Sequence, residues 1–420
     1  MNIKVLFKRN PLLLLCGQMV SMLGSILMRF ALSLYILDIT GSGVKFASVL
    51  AVSMLPQLFL GPFGGVIADK VSRKWLIVCL DIVSGIVTLS FAYLYFIKGE
   101  LSLTAIYVLV LLLSLISTVF DPTISAIIPD IVEKKDLADI NSSVQLISSS
   151  VSIVGPVLGG LLLGIWGIFI MLIIDGISYL LSAFSEMFIK PDREHHHENK
   201  GVSFFASFKE GFKYVLKTPT LLMFCFVAII ANSALNPIFS VGMPFRLRSE
   251  LGVTDFIYGL SQSLTMGGAI IGSIVASKFV KKFSYDKLIS STLTLAAVML
   301  FILAILAIPG LLPLTLAWTM LTAVIFIIIG IIIVANIAIG TAKQKIVPGN
   351  ILGRVNGVIA TLATAAIPLG QMVYGGILEK LDMYLVTLIF AGIVLLSGII
   401  SFAGFDRLSK KGNLIEVKNE

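Results

Sequence analysis

The sequence predicts an all-α membrane protein with twelve transmembrane helices in two pseudo-symmetric six-helix halves, and three observations predict it. The 420 residues are 57% hydrophobic and 13% charged, with mean hydropathy +1.03, more apolar than the core of a soluble chain requires. A span takes ~20 apolar residues, and the apolar runs, divided by short polar turns, leave room for about twelve. The third observation is a repeat: Asn141, Gly155 and Gly160 recur 215 residues later as Asn356, Gly370 and Gly375, and Val132 and Leu137 as Val347 and Leu352. The entrance Lys8-Arg-Asn-Pro11 likewise echoes Lys217-Thr-Pro219.

Taken in order, span 1 covers about 12–37, after Lys4, Lys8 and Arg9; no small-residue cleavage site follows it, so it reads as a retained helix. Spans 2 to 6 cover about 44–68, 75–97, 102–129, 141–163 and 167–189, and spans 7 to 12 about 220–245, 255–278, 285–308, 311–342, 351–378 and 382–405. The expected organisation is a half over 1–189, a linker over 190–218, a second half over 219–405 and a charged tail over 406–420. Span 10 is long enough for its inner end to project into water.

With both termini inside the cell, twenty-five of the 31 basic residues fall on the inner side and five outside, at Lys45, Lys98, Arg246, Arg248 and Lys380; Arg29 lies within a span. The positive-inside rule therefore predicts a multi-pass protein of the inner membrane with cytoplasmic termini. The net charge of +8 expresses that orientation, so no nucleic-acid partner is expected and membrane lipid is.

In the linker, Phe204, Phe205, Phe208, Phe212 and Val215 alternate with Lys209, Lys213 and Lys217 at helical spacing, which predicts an interfacial amphipathic helix. His195, His196 and His197 are adjacent, and consecutive residues cannot close a tetrahedral metal site by themselves, so no metal is expected. Cys16, Cys79 and Cys225 lie inside apolar runs and read as small buried hydrophobes. There is no phosphate-binding Walker loop, no paired cysteine ligand set and no histidine outside the linker. An enzyme and an ATP-driven pump are therefore not expected; no cofactor is, and an ion gradient, by default of protons, would supply the energy.

Between spans 2 and 3 lies Gly61-Pro-Phe-Gly-Gly65-Val-Ile-Ala-Asp69-Lys70-Val-Ser-Arg73-Lys74. Gly61, Gly64, Gly65 and Ala68 let a helix end approach another backbone closely. Asp69, Lys70, Arg73 and Lys74 are four charges in six residues, which the bilayer interior does not accept. Gly65 to Lys74 resembles the loop 2–3 signature of the major facilitator superfamily, G-x-L-[SA]-D-[RK]-x-G-R-[RK], with Ile67 in place of Leu and Ser72 in place of the second Gly. The second change leaves the turn less able to take positive φ. The resemblance implies that Asp69 is held near the cytoplasmic N-terminus of span 11 and steadies one of two transport states; a carboxylate there gains about 0.3–1 kcal/mol. It also implies parallel halves with a small-molecule site at midplane between them.

In span 5, Gly155-Pro156-Val-Leu-Gly159-Gly160 reads as a bend at Pro156 beside a glycine face for close packing. It is similar to the core of the antiporter signature of drug-efflux members, without that signature's upstream glycines. Gly17-Gln18-Met-Val-Ser21, Thr40-Gly-Ser-Gly43, Asp121-Pro122, Asp175 and Leu352-Gly-Arg354-Val resemble the macrolide-efflux branch. The resemblance implies proton-coupled export of an amphipathic, macrolide-like molecule. Transport of a defined physiological solute, such as a siderophore or lipid-like metabolite, and a non-transporting scaffold or sensor are the alternatives.

Charged residues inside spans are costly and are functional candidates by default. Arg29 lies about 27 Å along span 1 and Asp175 about 12 Å from the outer end of span 6, at 1.5 Å per residue, which puts them at similar depth. They either form a salt bridge, or Asp175 titrates while Arg29 lines the cavity. Asp81 and Asp121, in the inner thirds of spans 3 and 4, are expected to face Arg73 or Lys74 at an inner gate. Gln18, Gln145, Asn232, Asn236, Gln262, Asn336 and Gln371 are candidates to bind polar parts of a substrate, or to bond helix to helix.

Overall fold

The computed structural model describes residues 8–191 and 204–410, without the side chains of 62–66, 68–70, 134, 204–207, 350 and 409–410. His195 to His197 lie outside the described residues, as do the side chains of Gly65, Asp69 and Lys70. Described residues form helices and turns, with no strand among them. The helices are α1 (Arg9–Thr40), α2 (Gly43–Lys70), α3 (Arg73–Lys98) and α4 (Leu103–Ile131), then a 51-residue helical stretch, Leu137–Met187, broken at Gly167. Gly167 takes φ 69°, a left-handed value that costs a glycine nothing, so one residue joins α5 (137–166) to α6 (168–187). After the linker come α7 (Phe204–Lys217), α8 (Pro219–Glu250), α9 (Asp255–Lys282), α10 (Tyr285–Leu306), α11 (Leu314–Ile346), α12 (Gly349–Leu378) and α13 (Met383–Lys410). Eleven of the continuous helices are long and apolar enough to cross a membrane; with the break at Gly167, they supply the twelve expected spans.

Local chemistry sets several boundaries. Ser102 caps α4 by accepting from the Ala105 amide, and Gly99 ends α3 with φ 75°. The turn between α2 and α3 is only two residues, and Ser72 precedes α3 with φ −60° and ψ 113°. That backbone needs no glycine, so the departure from the loop signature is accommodated without strain. Asp121-Pro122 does not end a helix: α4 runs on through Pro122 and Pro129 to Ile131. The C-terminal part of α8 contains three wider π-helical segments, Ala231–Leu235, Ile238–Gly242 and Phe245–Glu250, which carry span 7 five residues beyond its expected end. Such segments are rare and recur at functional sites.

The chain forms two compact units: residues 1–40, 52–200 and 253–263 make one, and 41–51, 201–252 and 264–420 the other. The first turns of α2 thus pack within the second unit and those of α9 within the first. In the first unit a cluster including Leu14, Ile77, Val78, Ile127, Ile140 and Ala183 joins α1, α3, α4, α5 and α6. The end of this unit at the start of α1 is tied by Lys8 to Asp136 at 3.0 Å and by paired bonds between Asn10 and Lys190. In the α4–α5 turn, a hydrogen bond from Lys135 and the nearby charges of Lys135 and Lys8 hold the Glu133 carboxyl below its usual range.

In the second unit α7 packs on α12. A Cβ on Gly211 would come within 2.7 Å of the Arg354 carbonyl oxygen, and Arg354 pairs with Glu210 at 2.5 Å. The amphipathic linker helix therefore has a protein partner as well as an apolar face. The cysteines depart from expectation: Cys225 is buried, but Cys16 and Cys79 are exposed on helix faces, and all three thiols are free.

Candidate functional site

The glycine-rich stretch of α5 is a packing surface whose opposing atoms can be named. A Cβ at Gly155 would lie 2.4 Å from Ile26 Cγ2, and at Gly159 3.0 Å from Phe30 Cδ1, both on α1. At Gly160 it would lie 2.2 Å from the Asp255 carbonyl oxygen at the start of α9, and at Gly259 2.1 Å from that of Pro156. Both helices thus present a glycine to the other's backbone, the close approach that small residues permit in a membrane. The repeat partners behave alike in the second unit. A Cβ at Gly375 would meet the Gly43 carbonyl oxygen at 3.0 Å, at the start of α2, and one at Gly370 the Ser233 carbonyl oxygen of α8 at 2.2 Å.

Beneath this surface the first unit holds a line of acids. Asp175 on α6 is 1% exposed and neither carboxyl oxygen accepts a hydrogen bond. It faces the Gly24 position of α1, where an added Cβ would be 3.2 Å from Asp175 Oδ1. Arg29, exposed on α1, acts electrostatically on both Asp175 and Asp121 but forms no salt bridge with Asp175. Of the two expected arrangements, the salt bridge is therefore absent, although the depth estimate did bring the pair into range. Gln18 and Ser21, both buried, lie on the same helix.

Asp81 does not face Arg73 or Lys74 as expected. It is 1% exposed, and the Ser182 hydroxyl lies beside both it and Glu186 of α6, which is fully buried. Both Glu186 carboxyl oxygens lack a hydrogen-bond partner. Asp121 is exposed, with Arg29 as its nearby charge. Arg73 donates instead to Asp130 at 2.9 Å and to the Ala126 carbonyl at 3.1 Å, each side chain of the ion pair 10% exposed. Lys74 lies over the Trp75 ring at 5.0 Å, and Gly61 has open space where a Cβ would stand.

Sequence reasoning missed Glu186 and Asp130. Each lies near the end of an apolar run, where an acid reads as solvated. A signal was present for Glu186: Ser182 stands one helical turn before it in an otherwise apolar stretch.

The polar candidates of the second unit separate into two places. Asn232 and Asn336 line one small cavity of about 50 Å³ with Thr292, bounded by α8, α10 and α11. Asn236 and Ser240, on the π-helical part of α8, accept from Gln371 of α12 at 3.3 and 3.0 Å. In the first unit Gln262 donates to the Tyr258 hydroxyl at 2.6 Å, and the Tyr258 ring packs on Phe30 with centroids 5.2 Å apart. Gln145 is exposed and donates to Ser149 on its own helix, at 3.4 Å. No group of three or more metal-ligating side chains occurs among the described residues.

A family model described as Major Facilitator Superfamily matches residues 14–371. The "Uncharacterized MFS-type transporter YfiS" of Bacillus subtilis strain 168 is 25% identical over 429 aligned residues, covering 99% of each chain. Macrolide efflux protein A of Streptococcus pyogenes is 22% identical over 369 residues, 84% of this chain and 85% of that protein. The crystal structure of nucleoside transporter NupG superposes with a TM-score of 0.76 over 96% of this chain and 99% of that one; at 15% identity the likeness is one of fold.

Proposed function

The chain belongs to the Major Facilitator Superfamily, and on that premise we propose that it exports amphipathic, macrolide- or drug-like small molecules in exchange for protons by alternating access. It is a multi-pass membrane transporter of small molecules, not an enzyme. Efflux is supported by the similarity to macrolide efflux protein A. Proton exchange rests on one observation: the Asp175 carboxyl is shut away from water with neither oxygen bonded. An unpaired anion in such a place is costly, and taking up a proton removes that cost. In this reading Asp175 carries the proton, Arg29 responds to its charge, and Asp81 with Glu186 forms the next acidic station.

The α2–α3 corner, with Gly61, Gly65, Asp69, Lys70, Arg73 and Lys74, biases which side is open, and the glycines of α5 set the close packing that the change of state rearranges. The protein resides in the inner membrane with both termini cytoplasmic. Its energy source is the proton gradient.

Everted vesicles loaded with a pH-sensitive dye test this reading against a panel of cationic and neutral amphiphiles. Drug-dependent proton release is expected from the wild type, and its loss in Asp175→Asn with drug exchange down its own gradient retained. Coupled release by Asp175→Asn at the wild-type level would remove Asp175 from the role. A second reading, transport of a defined solute with hydrogen-bonding groups, requires the cavity of about 50 Å³ shared by Asn232 and Asn336 to widen in another transport state. It would be upheld by uptake of a labelled metabolite with the drug panel silent, and silence in both assays would favour a scaffold or sensor.

A further inference from the structure

A large cavity lies wholly within the second unit and plays no part in the proposed exchange. It is a groove of about 1060 Å³ between α9, α10, α11 and α13. Two tight crossings build it. Gly272 of α9 packs on the backbone of Gly330 of α11, where a Cβ would meet the carbonyl oxygen at 2.5 Å. Gly398 of α13 packs on Thr294 of α10, where a Cβ would meet the hydroxyl at 2.9 Å. The two pairs are pinned at these points and the space between them stays open. Its flank is apolar and accessible from the side, with Phe402 60% exposed and Ile399 55%.

The groove is charged at one end only. Lys287 lines it there, and Lys282 Nζ sits 5.6 Å from the centre of the Phe283 ring, itself part of the lining. The nearest acid in sequence, Asp286, is half-buried in the first turn of α10. No side chain caps that helix start at Ser284, so its first amides offer a second attraction for an anion. From Lys287 to Val298, both lining the groove, α10 rises about 16 Å, close to half of a ~30 Å hydrocarbon core. The apolar part is therefore one leaflet deep, with two ammonium groups where that leaflet's phosphates lie.

We propose that this groove is a binding site for an anionic phospholipid, with an acyl chain lying along α10 and the phosphate held by Lys282 and Lys287. A solute carried across would need a path through the molecule, whereas this groove opens sideways and is charged at one level. The site depends only on the protein's being embedded in a membrane, so the cargo and its coupling can be otherwise without affecting it.

Native mass spectrometry of the delipidated full-length protein, titrated with phosphatidylglycerol or phosphatidylcholine of matched chains, tests the assignment. Phosphatidylglycerol is expected to bind the wild type more tightly, by about fivefold for each lysine engaged. The double variant Lys282→Gln/Lys287→Gln should lose that preference and keep its phosphatidylcholine affinity. Ser291→Trp, which fills the groove from an exposed position, should weaken both lipids. Equal affinity of the wild type for the two lipids, or an undiminished preference in the Lys282/Lys287 variant, would overturn the site. So would a macrolide that displaces both lipids from the wild type but not from Ser291→Trp, since the groove would then hold cargo.

Discussion

Replacing Gly160 with alanine tests how closely α5 and α9 must approach. The added carbon would stand 2.2 Å from the Asp255 carbonyl oxygen, 2.8 Å from the Asp255 carbonyl carbon and 3.1 Å from the Phe256 Cα. All three atoms are backbone, so no side-chain rotamer relieves the clash. Comfortable non-bonded contact begins near ~3.5 Å, so the helices must separate by more than about 1 Å locally. Overpacking of that kind costs about 1–3 kcal/mol. If the contact forms in one transport state only, the balance of states shifts by about five- to 150-fold. Gly164, one turn along, provides the control: its added Cβ would meet Asp255 Oδ2 at 3.6 Å, an ordinary contact. Dye efflux from proteoliposomes under an imposed pH gradient, read beside thermal unfolding in detergent, should show Gly160→Ala impaired and Gly164→Ala near wild type. Gly375→Ala should be intermediate, because its nearest backbone atom lies at 3.0 Å. Wild-type efflux and melting of Gly160→Ala, or equal damage from Gly164→Ala, would refute the reasoning.

Three further outcomes follow from contacts within single units. Asp130→Ala removes a charge-assisted hydrogen bond from the largely buried Arg73, which keeps the Ala126 carbonyl, and should lower stability by about 1.5–3 kcal/mol; pairing it with Arg73→Leu should recover much of the loss in thermal unfolding. Glu210→Ala should cost under about 1 kcal/mol because its partner Arg354 is a third exposed. Gly211→Val, by contrast, should lift α7 from α12, seen as faster proteolysis of the linker helix with the remaining helices intact.

The spans were legible because hydropathy reports burial in lipid or protein directly, and even the break at Gly167 falls where spans 5 and 6 were expected to separate. The π-helical turns of α8 were not, because hydropathy does not distinguish a π turn from an α turn; Asn236 and Ser240 there meet Gln371 on a helix 135 and 131 residues away. Arg246 was expected outside and is 4% exposed, which its ion pair with Glu250, one turn on, makes tolerable. Pairing is the general gap. Depth along a helix placed Arg29 and Asp175 within range, yet rotation about the axis decides whether they touch, and hydropathy carries little of that angle when most faces are apolar. The same ambiguity turned Cys16 and Cys79 outward.

The repeat divides along physical lines. Gly160 and Gly375, 215 residues apart, each receive the first turns of a helix whose remainder belongs to the other unit. Steric exclusion acts alike in both places, since a Cβ would press on backbone in either. The charges are not duplicated. Asp81, Asp175 and Glu186 are buried in the first unit, whereas among the described residues the buried charge of the second is Arg246. Twelve residues beyond Asp175 α6 ends, and the matching stretch of α13 in the second unit carries no buried acid. Close packing must be met by every copy of a helix pair, while an unpaired acid costs stability wherever it stands. A duplicated fold therefore keeps its glycines in both copies and can confine such acids to one, which makes the first unit the place to look for proton-dependent behaviour.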